Sequence, residues 1–210
     1  MKKIIIVLLL ALFSLTGCAN NEKAENNSVD QNNEVSYERL SAEQTVTEEV
    51  EEEISSFTTN VVDHSPGRKT NVDITVSKIN GFRLEAGQTF SFGELVGKAT
   101  PEKGYKKAKI FDAKGNLIDG YGGGNCQVST TIYNAVKDLP GIEIVERHPH
   151  NNKVPYVADG LDAAVSYGSE DLKFKNNNDY PIIIYVSDTK DDVNCRIAKI
   201  TTQTKIKDTP

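Results

Sequence analysis

The stretch Gly122-Gly123-Gly124-Asn125-Cys126-Gln127-Val128-Ser129-Thr130-Thr131 leads from a glycine triplet through a cysteine into a helical pattern. Beyond Cys126 the apolar residues Val128, Ile132, Ala135, Val136 and Leu139 recur at three- and four-residue steps, the spacing of one buried helix face. Pro140-Gly141 closes the helix. Cys126 thus falls in or next to the first turn, where unpaired backbone N–H groups and the positive end of the dipole favour an anion. Its own thiolate is such an anion, and a helix start is one of the settings that favour the thiolate at neutral pH. Glycines lack a Cβ, take positive φ readily and let backbone amides approach a substrate carbonyl. The same residues also fit a tight turn before a helix whose cysteine merely packs in the core. The choice between the two rests on the rest of the chain.

Immediately upstream, 104–111 and 117–120 flank the turn Ala113-Lys114-Gly115-Asn116, which predicts a hairpin feeding the glycine triplet. Earlier still, 87–92 alternates like a half-buried strand. Val72, Val76 and Ile79 predict a first helix over 71–80, ended by Gly81. Downstream, strands are expected over 142–147, 163–167, 172–175, 182–187 and 193–200, separated by Asn, Asp, Gly and Pro clusters. Two main helices among short, irregularly alternating strands define an α+β class with a largely antiparallel sheet.

The chain has 210 residues and a formal net charge of −6, enough for one domain with appendages. Residues 1–18 read as a signal segment: Lys2-Lys3, an apolar run from Ile4 to Phe13, then Leu15-Thr16-Gly17-Cys18. That ending resembles the lipobox of bacterial lipoproteins, in which the cysteine, here Cys18, is lipidated and becomes the first residue. Residues 19–56 carry 11 acidic against 2 basic side chains and few apolar ones, the composition of a flexible acidic tether. Extended, it reaches roughly 130 Å; as a coil, ~35 Å. Val46, Val50 and Ile54, four apart, allow a short amphipathic helix at its end. The folded part is expected at 57–205 and is close to neutral, so the acidity belongs to the tether and points to no charged partner.

Three further features bear on chemistry. Glu146-Arg147-His148-Pro149-His150 holds two of the three histidines, and histidine is the usual base for a cysteine nucleophile. Asp162 is placed to orient such a histidine. Each of these residues singly also fits a solvated loop or a turn. Cys126, His148, His150 and Asp162 are all of zinc-ligand type, yet the chain has no Cys-x-x-Cys or His-x-x-x-His spacing, so no metal and no cofactor is expected. Cys195 alternates with Val193 and Ile197 and is expected to face the core of a strand. In an oxidising compartment it can pair with Cys126, which a catalytic Cys126 forbids.

From about 70 to 185 the chain resembles the VanW-domain family, named for an accessory component of vancomycin-resistance clusters. The resemblance rests on Ile79-Asn80-Gly81, Gly87 to Phe92, Gly104-Tyr105, Gly122 to Thr131, Glu146 to His150, Tyr156-Val157, Gly160 to Ala163, Asp171-Leu172 and Phe174-Lys175-Asn176. The family's Arg-x-x-His pattern selects His150 over His148. Gly93 stands where the family usually has Asn, and no further wall-binding module follows, so the lipid tether is expected to set location. The resemblance implies a cysteine-dependent L,D-transpeptidase acting on peptidoglycan tetrapeptide stems through a Cys126 thioester. His150 is then the base, Asp162 its orienter, and the amides of Gly124, Asn125 and Cys126 the oxyanion donors. Gly123, Gly124, Asn125, Gln127, Ser129, Thr130, Tyr133, Arg147, His148 and Tyr156 are the expected substrate-binding residues. The expected partners are stem peptides and, through lipid on Cys18, the outer face of the cytoplasmic membrane within the wall; no nucleic acid is expected. The alternative is a non-catalytic wall-binding accessory that uses the same groove.

Overall fold

A computed structural model describes residues 45–112 and 115–206. The signal segment, Cys18 and the tether up to residue 44 lie outside the described residues, as do Ala113 and Lys114 of the expected turn. No helix among the described residues is long and apolar enough to cross a membrane.

The described residues begin with strand β1 (Thr45–Asn60) and helix α1 (Pro66–Ile79). Pro66 suits the first helical position, where its missing N–H is not needed. Gly81, at φ 81°, turns the chain out of the helix. Strands β2 (Phe82–Leu84) and β3 (Thr89–Ser91) follow, then the short helix α2 (Phe92–Val96). Ser91 caps α2 by accepting from the Glu94 amide at 3.1 Å. The hairpin β4 (Lys107–Phe111) and β5 (Leu117–Tyr121) leads into α3 (Asn125–Val136). Strands β6 (Ile142–Glu146), β7 (Lys173–Asn176), β8 (Ile182–Asp188) and β9 (Asp192–Ile206) complete the order.

All strand pairs are antiparallel. One sheet runs β1-β9-β8-β2, a second β3-β7-β6, and β4-β5 stands apart. The expected α+β class with two main helices is therefore the observed one. Ile182, Ile184 and Val186 of β8 and Val193, Cys195 and Ile197 of β9 point inward at every second residue. They meet Val72, Val76 and Ile79 of α1 and Val128, Ile132, Ala135 and Val136 of α3 in one core. Phe90 and Phe174 stack at 4.7 Å across β3 and β7 and tie the second sheet to it.

Two expectations need correction. The short helix suggested by Val46, Val50 and Ile54 is a strand, so the folded part includes residues 45–56, upstream of the expected start at Phe57. The reason is a partner: β9 extends to Ile206 and pairs with β1 from Thr45 to Asn60, with a register shift between Glu53 and Ser55. That pairing satisfies the backbone of a segment whose composition alone cannot build a core. Residues 163–167, expected as a strand, form only the isolated bridges His148 to Ala164 and Ser166 to Glu170. Their backbone is held by α3 side chains and by the loop carrying the histidines instead of by a neighbouring strand.

Candidate active site

The glycine triplet is squeezed between α1 and β4, and the available space explains each residue. A Cβ on Gly123 would stand 2.7 Å from the Lys109 carbonyl oxygen and 2.9 Å from the Ala108 Cβ. One on Gly124 would meet Val72 Cγ2 at 2.6 Å, and Gly124 also takes φ 113°. Asn71 of α1, fully buried, fixes the turn by donating to Gly123 O at 3.2 Å and Lys106 O at 3.0 Å and accepting from the Lys106 amide at 2.7 Å. Within the turn the Asn125 amide donates to Gly122 O at 3.0 Å, and those of Gln127 and Val128 donate to Gly124 O. The Cys126 and Gly124 amides make no such bond among the described residues. Of the three amides expected to stabilise an oxyanion, that of Asn125 is therefore spent in the turn.

Cys126 sits in the first turn of α3 at partial exposure, with its thiol 3.5 Å from Val165 O. It is also a neighbour of the His150 imidazole, close enough to favour its charged form. On the other edge of that ring Nδ1 lies 2.6 Å from Asp162 Oδ2, which accepts as well from the His150 amide at 2.6 Å. Arg147 donates to Asp162 Oδ1 at 3.1 Å, Asp162 O at 2.6 Å and Gly160 O at 2.9 Å. The carboxylate is thus locked from both sides, and His150 has Asp162 and Cys126 as neighbours. Burial disfavours the charged imidazole, but Cys126 and Asp162 beside it prevail and hold its pKa above the usual histidine value. Asp162 is pushed up by burial and down, more strongly, by its bonds to His150, so its carboxyl stays below the usual range.

The remaining expected site residues divide into two groups. Gly123, Gly124, Asn125, Gln127, Tyr156 and His150 line a cleft of about 820 Å³ that opens over Cys126. Burial pushes the Tyr156 hydroxyl pKa up. Ser129, Thr130 and Tyr133 are turned elsewhere. Ser129 donates to Ala163 O at 2.6 Å, Thr130 Oγ1 accepts from the Ala163 amide at 2.9 Å, and the Tyr133 ring lies 5.3 Å beneath the Arg147 guanidinium. These three hold the loop that carries Asp162. His148 pairs with Glu146 at 2.9 Å and is half exposed; Lys173 and then His148 hold the Glu146 carboxyl down to about 2. His150, not His148, is the histidine beside the thiol. The Cys195 thiol is free and fully buried, and burial raises its pKa.

Asn71 and Arg68 of α1 and the Phe111 ring, 6.4 Å from that of His150, also border the site. Sequence reading missed all three. Asn71 carried a detectable signal: it and Thr75 are polar residues four apart on the buried stripe of α1. Among the described residues no group of three or more His, Cys, Asp and Glu is arranged to hold a metal ion.

A family described as VanW like protein matches residues 67–198, more than half of the chain and all of the elements that build this site. The chain belongs to the VanW family. A relative described as uncharacterized protein YoaR, from Bacillus subtilis (strain 168), is 41% identical over 133 residues, 63% of this chain and 43% of the relative. Vancomycin B-type resistance protein VanW of Enterococcus faecalis (strain ATCC 700802 / V583) is 30% identical over 131 residues, 57% of this chain and 46% of that protein. This VanW-family chain therefore spans less than half the length of these curated relatives. No solved structure matches it.

Proposed function

We propose that this VanW-family chain is a cell-wall acyltransferase, similar to a cysteine L,D-transpeptidase, acting on tetrapeptide stems of peptidoglycan. The observation that carries the reading is that His150 neighbours both Cys126 and Asp162, while Cys126 and His150 line an open cleft. A relative named as a vancomycin-resistance protein supports a cell-wall setting. His150 takes the thiol proton, and Cys126 Sγ attacks the carbonyl carbon of the diamino residue. The oxyanion faces the Cys126 and Gly124 amides. As the C–N bond to D-alanine breaks, His150 returns the proton to the leaving amine, and a thioester remains. An amine of a second stem then attacks the thioester, gives its proton to His150 and releases the Cys126 thiolate. With water in place of the amine the same steps trim the stem.

Mass spectrometry of the protein incubated with tetrapeptide stems tests this. A Cys126-linked adduct with release of D-alanine is expected, absent in Cys126→Ala and formed ~10²–10⁴-fold more slowly in His150→Ala. D-alanine release by Cys126→Ala refutes the thiolate mechanism. A protein that binds stems and never acylates is the wall-binding accessory instead. The setting is part of the proposal: lipid on Cys18 holds the domain at the outer membrane face. A Cys18→Ala chain that stays membrane-bound with unchanged processed mass rules that out.

A further inference from the structure

Arg68, in the first turn of α1, lines the cleft with Cys126 but has no part in the proton path. Its Nη2 donates to Gln127 Oε1 at 2.9 Å. Gln127 is buried and is itself fixed by Thr59 Oγ1 at 3.1 Å and Asn60 O at 3.0 Å. On the other side, Arg68 Cγ lies 3.6 Å from where a Cβ of Gly124 would stand. Gly124 and Gln127 flank Cys126 in the chain, so the guanidinium is pinned along the border of the nucleophile.

The internal partners of this guanidinium are few. Its hydrogen bond among the described residues goes to a neutral amide, and Nε is buried with no acceptor. Asp63, which lines the same cleft, feels the Arg68 charge but makes no hydrogen bond to it, and its Oδ1 accepts from the Ser65 amide at 2.9 Å. A cation in the first turn also opposes the dipole of its own helix. Neither α1 nor α3 has an acidic residue in its first turn to offset this. Two helix starts and an arginine thus direct positive potential at one end of the cleft, and an orphaned buried donor costs stability unless a ligand satisfies it. The guanidinium fork matches a carboxylate.

We propose that Arg68 binds the free carboxylate of the residue that leaves when Cys126 is acylated. The proposal rests on the acyl-transfer reading and gives it a substrate class: peptides cut one residue from their C-terminus. One residue step is ~3.8 Å, so a substrate carbonyl at Cys126 puts a terminal carboxylate within reach of a side chain bordering the same turn. Peptides continuing beyond that residue bring no terminal carboxylate to this guanidinium and bind poorly.

Calorimetry on Cys126→Ala, which binds without turnover, tests this with two probes: a stem tetrapeptide ending in D-alanine and its C-terminal carboxamide. The free acid is expected to bind about 10- to 100-fold more tightly than the carboxamide. Adding Arg68→Gln should bring the free acid down to the carboxamide's affinity and leave the carboxamide unchanged, and Arg68→Lys should recover part of the difference. Equal binding of both probes by Cys126→Ala, binding of neither, or an unchanged ratio in Arg68→Gln overturns the proposal. So does an equal loss for both probes, which would mean that Arg68 reads another carboxylate of the stem or only supports the fold. The measurement needs no thioester. A protein that discriminates through Arg68 but never acylates keeps the carboxylate site and loses the acyl-transfer reading.

Discussion

His150 is subject to opposing influences, and their balance makes a measurable prediction. Burial disfavours the imidazolium, while the Cys126 and Asp162 side chains favour it and prevail. Its ring should therefore titrate above ~6.5 in a proton NMR titration, and Asp162→Asn should move it down. A raised folded pKa stabilises the fold fully below the unfolded value, and this contribution is lost as pH rises through the folded value. Asp162, lowered, contributes above its unfolded value and loses that contribution as pH falls through its folded one. Both are complete from roughly pH 4 to pH 6.5, so the denaturation midpoint should be highest there, and His150→Gln should remove the decline on the alkaline side. The two remaining cysteines among the described residues should differ as sharply. Iodoacetamide should modify Cys126 in the native protein and Cys195 only after unfolding. Cys195→Val should retain acylation and cost about 1 kcal/mol.

At the scale of elements, α3 was legible because its apolar residues repeat at the helical period and stop at Pro140-Gly141. Its polar residues were harder to place. Ser129 and Thr130 read as groove-lining side chains, yet both are buried and clamp the loop at Ala163, while Gln127, at the cleft wall, and Thr131 bond Thr59 at the end of β1. Hydroxyls on a helix read alike in sequence whether they meet a ligand or another segment's backbone. The glycine triplet shows the same limit: its flexibility was readable, but the collisions that require Gly123 and Gly124 come from β4 and α1. Gly123→Ala should cost about 1–3 kcal/mol of stability by urea denaturation, because a backbone carbonyl and Ala108 must shift. It should also slow acylation by displacing the Cys126 amide. Gly160→Ala, with open space around the added methyl and φ 81°, carries backbone strain alone and should cost about 1 kcal/mol.

For the whole molecule, the outer half of β1 belongs to the sheet. A chain beginning at Phe57 loses Ile54 from the core and leaves the β1-facing edge of β9 unpaired from Arg196 to Ile206. Compared with a chain beginning at Thr45, it should melt at lower temperature, with about 1–2 kcal/mol lost from Ile54 alone, and associate more readily through the exposed edge of β9. Sequence alone determined the α+β class, both main helices, the hairpin before the triplet, the inward face of β9 and the cysteine at the start of α3. All of these follow from local period and turn chemistry, which a chain carries whatever it folds against. Only the tertiary structure decided that Thr45–Asn60 is a strand, because its partner lies about 150 residues away, and that 163–167 is a loop held by α3. The Arg-x-x-His pattern already selects His150 over His148; the tertiary structure adds which carboxylate each meets, Asp162 for His150 and Glu146 for His148. Arg68 is placed at the cleft in the same way, by the packing of α1 against the glycine turn, a contact between segments more than 50 residues apart that no local pattern encodes.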